Sequence, residues 1–111
     1  MDIKTFGVRD MTKQKRVLKL TLHKKAFEVM VTGEKKLEFR KPSAWIMSRL
    51  KGKDYDAVEF VNGYGVHRPR FMATFKEYHV ADENEEFNYS NGLKVKVEPG
   101  DICIRIGKVI A

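Results

Sequence analysis

The second half of the chain alternates apolar and polar residues along segments that turns and one longer polar stretch separate, with no helical pattern between them. Such alternation is typical of strands with one buried face. It predicts four strands, over residues 57–61, 68–80, 93–97 and 102–106. Because turns join these strands and no crossover helix does, we expect mostly antiparallel pairing.

The first half adds strands and two short helices. The segment 17–22 alternates leucine with polar residues and predicts a strand. Residues 23–32 place Phe27 and Met30 three residues apart, which indicates an amphipathic helix. Gly33 then stands where a helix commonly ends, since glycine adopts a positive φ without a steric penalty.

A further strand begins near Lys36 and ends at Pro42, and Ser43 is suited to cap a second helix that extends to about Leu50. Residues 81–92 are polar and acidic without a period, so we expect a long loop there. Six strands and two helices predict an α+β fold, a small, closed or nearly closed and mostly antiparallel β-barrel with two short helices at its rim.

Composition and local patterns define the expected class of protein. Residues 1–16 show neither the helical nor the strand period of apolar residues. We expect a flexible basic arm there, before one domain over residues 17–111. Cys103 lies between two isoleucines and is expected to be buried. The histidines lack metal-ligand spacing, so we expect no metal and no cofactor. Without a long apolar stretch, we expect a cytoplasmic monomer that does not contact membranes.

The positive charge of the chain is concentrated in one part of it. The formal net charge is +7, and residues 17–53 alone carry ten Lys or Arg and three acidic residues. Residues 81–92 carry four acidic residues and no basic one. This asymmetry favours a polyanionic partner, nucleic acid before membrane. The alternative is a soluble basic protein without such a partner.

One segment, residues 33–40, concentrates charge at the predicted corner between helix and strand. Glu38 and Arg40 are two residues apart on the strand and therefore share a face, while Lys35 lies at the corner. Arginine offers a planar fork and lysine a point charge, which suit a phosphate, a carboxylate or a nucleobase edge. A solvated charged face on an edge strand is the alternative.

The same segment resembles the G-x-K-x-x-E-x-R motif of ASCH domains, which are relatives of the PUA fold. All four motif positions match, at Gly33, Lys35, Glu38 and Arg40. The resemblance extends from the strand at 17–22 to the turn at 99–101 and the last strand, roughly residues 17–106. It implies a PUA-like β-barrel with the motif at a cleft, in a family thought to bind RNA.

On this resemblance we expect an RNA- or nucleotide-binding cleft formed by Lys35, Glu38 and Arg40. Aromatic residues near such a cleft could stack an unpaired base. The candidates are Tyr64, which lies in a glycine turn, and then Phe71 and Trp45. Four cations are expected to contribute phosphate contacts: Lys24, Lys25, Arg68 and Arg70.

An enzyme is the alternative. Some proteins similar to this chain are small amidohydrolases that deacylate N4-acetylcytidine; in them the lysine matching Lys35 is catalytic, and a threonine stands where this chain has Glu38. Lys35 and Glu38 would then be catalytic, acting on an N4-acylated cytidine-type nucleoside or, in a ribonuclease, on RNA. Such a lysine needs a pKa lowered by burial or by nearby cations. Glu59 or Glu77 could supply a second carboxylate.

Overall fold

A computed structural model describes residues 16–63 and 68–110. Seven strands and two helices lie in these ranges: β1 (Val17–Leu22), α1 (Lys24–Val31), β2 (Leu37–Arg40), α2 (Ala44–Leu50), β3 (Ala57–Asn62), β4 (Arg70–Val80), β5 (Glu85–Asn88), β6 (Lys94–Val97) and β7 (Ile102–Val109). The arm expected over residues 1–16 falls, apart from its last residue, outside the described residues, and so does Tyr64.

Both predicted helices form, and local chemistry marks their ends. Gly33 follows α1 with a φ of 89°, which is the left-handed conformation expected after a helix. The Ser43 side chain caps α2 by accepting a hydrogen bond from the backbone N–H of Ile46 at 3.2 Å. Neither helix of the described ranges is long and apolar enough to cross a membrane.

Five strands form one sheet in the order β1-β3-β4-β7-β2. β1 pairs parallel with β3, and every other neighbouring pair is antiparallel. The parallel pair is possible because α1, β2 and α2 lie between its two strands and return the chain to its starting direction. The predictions of an α+β fold and of mostly antiparallel pairing are therefore confirmed.

The sheet curls into a half-barrel, whereas the sequence predicted a closed or nearly closed barrel. Within the described ranges β1 and β2 are its two edges, and they do not pair as strands. A side chain spans the gap instead, since Arg40 Nη2 donates a hydrogen bond to Thr21 O at 2.8 Å. Both helices contribute to the core on the concave side, through Phe27 and Met30 of α1 and Ile46 and Leu50 of α2.

The prediction of a long loop over residues 81–92 is wrong. β5 occupies part of that segment and pairs antiparallel with β6, with Phe87 opposite Val95. Phe87 is the single apolar residue of β5, so alternation could not reveal the strand. Its ring stacks on Phe39, with centroids 5.3 Å apart, and this contact fixes the hairpin to β2.

Candidate functional site

Three motif residues, Lys35, Glu38 and Arg40, form one ion-pair network along β2, and Arg40 extends it across the gap to β1. Glu38 lies between two cations: Oε1 is 3.2 Å from Lys35 Nζ, and Oε2 is 2.7 Å from Arg40 Nε. The β2–β7 register places Glu38 opposite Ile104 and Arg40 opposite Ile102, and both isoleucines belong to the core. Glu38 and Arg40 therefore share the concave face, as their spacing predicts.

Lys35 is buried to a degree that is rare for lysine. Its side chain is 2% exposed, and its ammonium group donates to Leu37 O and to Glu38. The backbone N–H of Lys35 also bonds to Val29 O at 2.9 Å, which turns the corner after α1 inward. Burial lowers the pKa of Lys35, and the neighbouring carboxylate of Glu38 opposes that shift.

The β5–β6 hairpin lies over Lys35. Lys35 Nζ is 5.4 Å from the ring centroid of Phe39 and 5.9 Å from that of Tyr89, which follows β5. Phe87 stacks on Phe39 from the same hairpin. Burial raises the pKa of Tyr89, which is consistent with its position against the network. The low exposure of Lys35 therefore depends on a separate two-stranded element.

Polar contacts hold the tip of the hairpin to the motif segment and to α1. Ser90 donates to the Glu34 carboxylate twice, from its backbone N at 2.8 Å and from Oγ at 2.6 Å. Asn91 Nδ2 donates to Lys25 O at 2.9 Å and to Glu28 Oε1 at 3.1 Å. The hydrogen bonds from Ser90 lower the pKa of Glu34. A motif position that carries no predicted role, Glu34, thus anchors the hairpin.

A cavity of about 320 Å³ adjoins the network, and we call it the motif cleft. It is lined by Thr21, Leu22, His23, Ala26, Glu38, Phe39 and Arg40. The side chain of Arg40 is 26% exposed and that of Glu38 is 9% exposed. A ligand in the motif cleft would therefore contact the guanidinium of Arg40 directly. Lys35 would act on that ligand only through its ion pair with Glu38.

The four cations predicted to contact phosphate lie at one end of the sheet. Lys24 and Lys25 are exposed in the first turn of α1, directly after β1. The strand registers place Leu22 opposite Asn62 and Val61 opposite Arg70, so β4 begins at the end where β1 finishes. This end also borders the motif cleft, because Leu22 and His23 line it.

Arg68 and Arg70 have partners within the fold. Arg70 Nη1 lies 3.4 Å from Glu59 Oε2, in an ion pair that is partly exposed. Arg68 Nη1 donates to Gly63 O at 3.3 Å, while its Nε is buried and has no hydrogen-bond partner among the described residues.

Two of the aromatic candidates are described, and neither lies in the motif cleft. Phe71 is a core residue that is 3% exposed and stacks on Phe60 with centroids 5.2 Å apart, so it cannot stack a base. Trp45 is 49% exposed and lines a different cavity. The aromatic residues that do approach the network are Phe39, which also lines the motif cleft, and Tyr89, and sequence reasoning assigned a site role to neither. The spacing of Phe87 and Tyr89, two residues apart, was the available signal.

The other acidic candidates do not join the network. Glu59 pairs with Arg70, and Glu77 pairs with Arg105 at 3.3 Å. Glu38 is therefore the carboxylate that contacts Lys35 within residues 16–63 and 68–110. In the same ranges no group of three or more His, Cys, Asp or Glu side chains is placed to hold a metal ion. Cys103 is buried, as predicted, and burial raises the pKa of its thiol.

Comparisons of this chain with protein-family models, with curated proteins and with solved structures find no match. The geometry of the motif cleft and its charges are therefore the basis on which a function can be inferred.

Proposed function

We propose that this chain is a PUA-like domain of the ASCH type that binds RNA or a nucleotide in the motif cleft. The observation that carries the proposal is that Glu38 and Arg40 line one cavity together while Glu38 is also paired with the buried Lys35 behind it. A guanidinium fork beside a carboxylate can bind a nucleobase edge or a phosphate, because it offers donors and an acceptor in a fixed arrangement.

The contacts of Arg40 support recognition by a prepared group. Its Nε is held by Glu38 at 2.7 Å and its Nη2 by Thr21 O at 2.8 Å, so the guanidinium plane is fixed before a ligand arrives. Preorganisation of this kind reduces the ordering cost of binding. Each carboxylate oxygen of Glu38 can accept a further hydrogen bond, such as one from a base amino group.

The surrounding charge favours a polyanion. The segment 17–53, with its net charge of +7, contains all three network residues as well as Lys24 and Lys25. A cationic surface of this kind attracts nucleic acid and makes its affinity dependent on salt.

The proposal is tested with a short single-stranded RNA at several salt concentrations. We expect the logarithm of the association constant to fall linearly with the logarithm of the salt concentration. The slope should be about −0.7 for each phosphate contacted. Arg40→Ala is expected to weaken binding about 10-fold, because it removes a charged hydrogen-bond donor from the cleft. Arg40→Lys keeps the charge but lacks the planar fork, so its affinity for RNA should lie between those of wild type and Arg40→Ala.

Lys94→Gln is the matched control, since Lys94 is exposed on β6 and its substitution removes one positive charge, as Arg40→Ala does. RNA binding that does not depend on salt, or equal losses in Arg40→Ala and Lys94→Gln, would contradict the proposal.

A second candidate is an amidohydrolase acting on an N4-acylated cytidine-type nucleoside, and the lowered pKa of Lys35 favours it. An amine acts as nucleophile or base only when it is neutral, and burial increases the neutral fraction. On this hypothesis Lys35 and Glu38 are the catalytic pair. A ribonuclease would use the same residues on RNA.

Incubation with N4-acetylcytidine, followed by chromatography for cytidine, tests this second candidate. If it holds, Lys35→Ala abolishes turnover and Arg40→Ala retains measurable turnover, because Arg40 takes no part in the chemistry. The absence of cytidine with the wild-type protein would exclude this activity, and intact RNA after incubation would exclude a ribonuclease.

A further inference from the structure

A second groove lies at the start of β1, whereas the motif cleft borders its end. It has a volume of about 410 Å³, and we call it the Trp45 groove. Its lining residues are Val17, Leu18, Lys19, Trp45, Arg49, Lys53 and Tyr55. The β1 strand and α2 form most of its walls, with the loop that follows α2.

Trp45 provides an exposed aromatic surface in this groove. The buried residues of α2 are Ile46 and Leu50, while Trp45 is 49% exposed beside them. The guanidinium carbon of Arg49 lies 4.9 Å from the Trp45 ring centroid, one helical turn further on. Arginine thus covers part of the indole, and the exposed part remains available as a stacking platform.

Cations surround this aromatic surface. Lys19, Arg49 and Lys53 line the groove and are all exposed. No acidic side chain in the described part of the chain lies within ion-pair distance of these three cations. The Tyr55 hydroxyl donates to Arg49 O and so ties the end of α2 to the loop before β3.

We propose that the Trp45 groove binds single-stranded nucleic acid, with a base stacked on Trp45 and phosphates contacting Lys19, Arg49 and Lys53. Aromatic rings flanked by cations are the general means of binding single strands, because every base has a face that can stack. A duplex stacks its bases on one another and does not offer them to an aromatic side chain.

The groove also has a geometric relation to the motif cleft. Lys19 lines the Trp45 groove and Thr21 lines the motif cleft, and two residues along a strand span about 7 Å. One strand of nucleic acid could therefore follow β1, which is an edge of the sheet among the described residues, from one cavity to the other. This continuity rests on the proposed function, whereas stacking on Trp45 does not.

Trp45 is the single tryptophan of the chain, so tryptophan fluorescence reports on this groove alone. We would titrate the protein with oligouridine of about ten nucleotides, a length within the usual site sizes. Total binding is followed by the anisotropy of the same oligonucleotide carrying a dye. We expect saturable quenching that salt reverses, and Trp45→Ala should weaken total binding about 10-fold.

A pair of matched double variants tests the cations. Lys19→Gln with Lys53→Gln removes two charges from the groove, and Lys94→Gln with Lys96→Gln removes two from exposed positions on β6. The first pair should weaken quenching by oligouridine at least several-fold more than the second. Equal weakening would overturn the inference, because it would show attraction to net charge alone.

Arg40→Ala separates this inference from the proposed function. Total binding that occurs without tryptophan quenching, and that is the same in Trp45→Ala as in wild type, overturns the proposal for the Trp45 groove. The proposal for the motif cleft then still stands. Quenching that is weakened in the Lys19/Lys53 double variant, together with total binding that Arg40→Ala leaves unchanged, supports the groove and contradicts the motif cleft. No binding in either measurement overturns both, and equal quenching by a duplex overturns the preference for single strands.

Discussion

Asp101 illustrates how a single buried side chain joins separate parts of this fold. It is 4% exposed, and its Oδ2 accepts the backbone N–H of Glu98 at 2.9 Å within the turn before β7. Lys41, directly after β2, lies 3.0 Å from Oδ1 of the same carboxylate. The Glu98 N–H and then Lys41 lower the pKa of Asp101, while Asp101 and Glu98 raise the pKa of Lys41.

These shifts predict how stability depends on pH. Because the folded pKa of Asp101 lies below its ordinary 3.8, its contribution is fully present above that value and is lost as pH falls through the folded pKa. Asp101→Asn should lower the urea midpoint at neutral pH, and the difference from wild type should shrink below pH 3.8.

The control is Asp82→Asn at an exposed position, which should leave the urea midpoint unchanged. A difference between wild type and Asp101→Asn that stays constant down to the acid limit would contradict the role of the carboxylate charge.

The motif residues were predictable because strand geometry has a period of two and the charged residues follow it. Glu38 and Arg40 share a face for that reason alone. The partner of Arg40 across the gap, Thr21 O, was not predictable, since a backbone carbonyl leaves no sign in the sequence. The Trp45 groove was also hidden, because its cations come from β1, α2 and a loop that only the fold brings together.

At the scale of secondary structure, the helices and most strands follow from local patterns, while the hairpin does not. Ser43 and Gly33 mark helix ends by capping chemistry that is local to the sequence. β5 is stabilised by tertiary contacts, chiefly Phe87 on Phe39 and Ser90 on Glu34. Tertiary packing of this kind overrides local propensity, so a polar and acidic segment forms a strand.

The position of the hairpin over Lys35 predicts the reactivity of that amine. In the wild type an amine-acetylating reagent should modify exposed Lys36 much faster than Lys35, although the lowered pKa of Lys35 by itself increases its neutral, reactive fraction. Phe87→Ala removes a stacked aromatic pair that holds the hairpin to β2. The fraction of molecules in which the hairpin has opened away from Lys35 should rise, and with it the acetylation rate of Lys35, roughly 3- to 10-fold.

Peptide mass spectrometry at short reaction times measures both rates in one sample. Phe87→Leu keeps an apolar contact and should lie between Phe87→Ala and wild type, and Lys36 should react equally in all three. Equal rates for Lys35 and Lys36 in the wild type would show that the hairpin does not cover the amine.

At the scale of the whole molecule, one aromatic cluster joins the sheet to α1. Phe60 is 0% exposed and stacks on Phe71, whose ring in turn meets the edge of Phe27 with centroids 5.2 Å apart. Phe60→Ala should lower the free energy of unfolding by about 3 to 5 kcal/mol, because it removes a fully buried ring from a packed core.

Urea unfolding followed by circular dichroism measures that loss. Trp45→Ala is the matched control, since it removes an exposed aromatic side chain and should change the free energy of unfolding by only about 0.5 kcal/mol. Similar losses in the two variants would contradict the assignment of the core.

The parallel pairing of β1 with β3 has a consequence for the order of folding. β3 and β4 are joined by a short connection, whereas α1, β2 and α2 intervene between β1 and β3. Closing that longer connection costs about 1 kcal/mol more in chain entropy, so β1 is expected to dock after β3 and β4 have paired. Smaller φ-values at Leu18 than at Phe71 would show this order. Since β1 forms a wall of both the motif cleft and the Trp45 groove, neither cavity exists until that late step is complete.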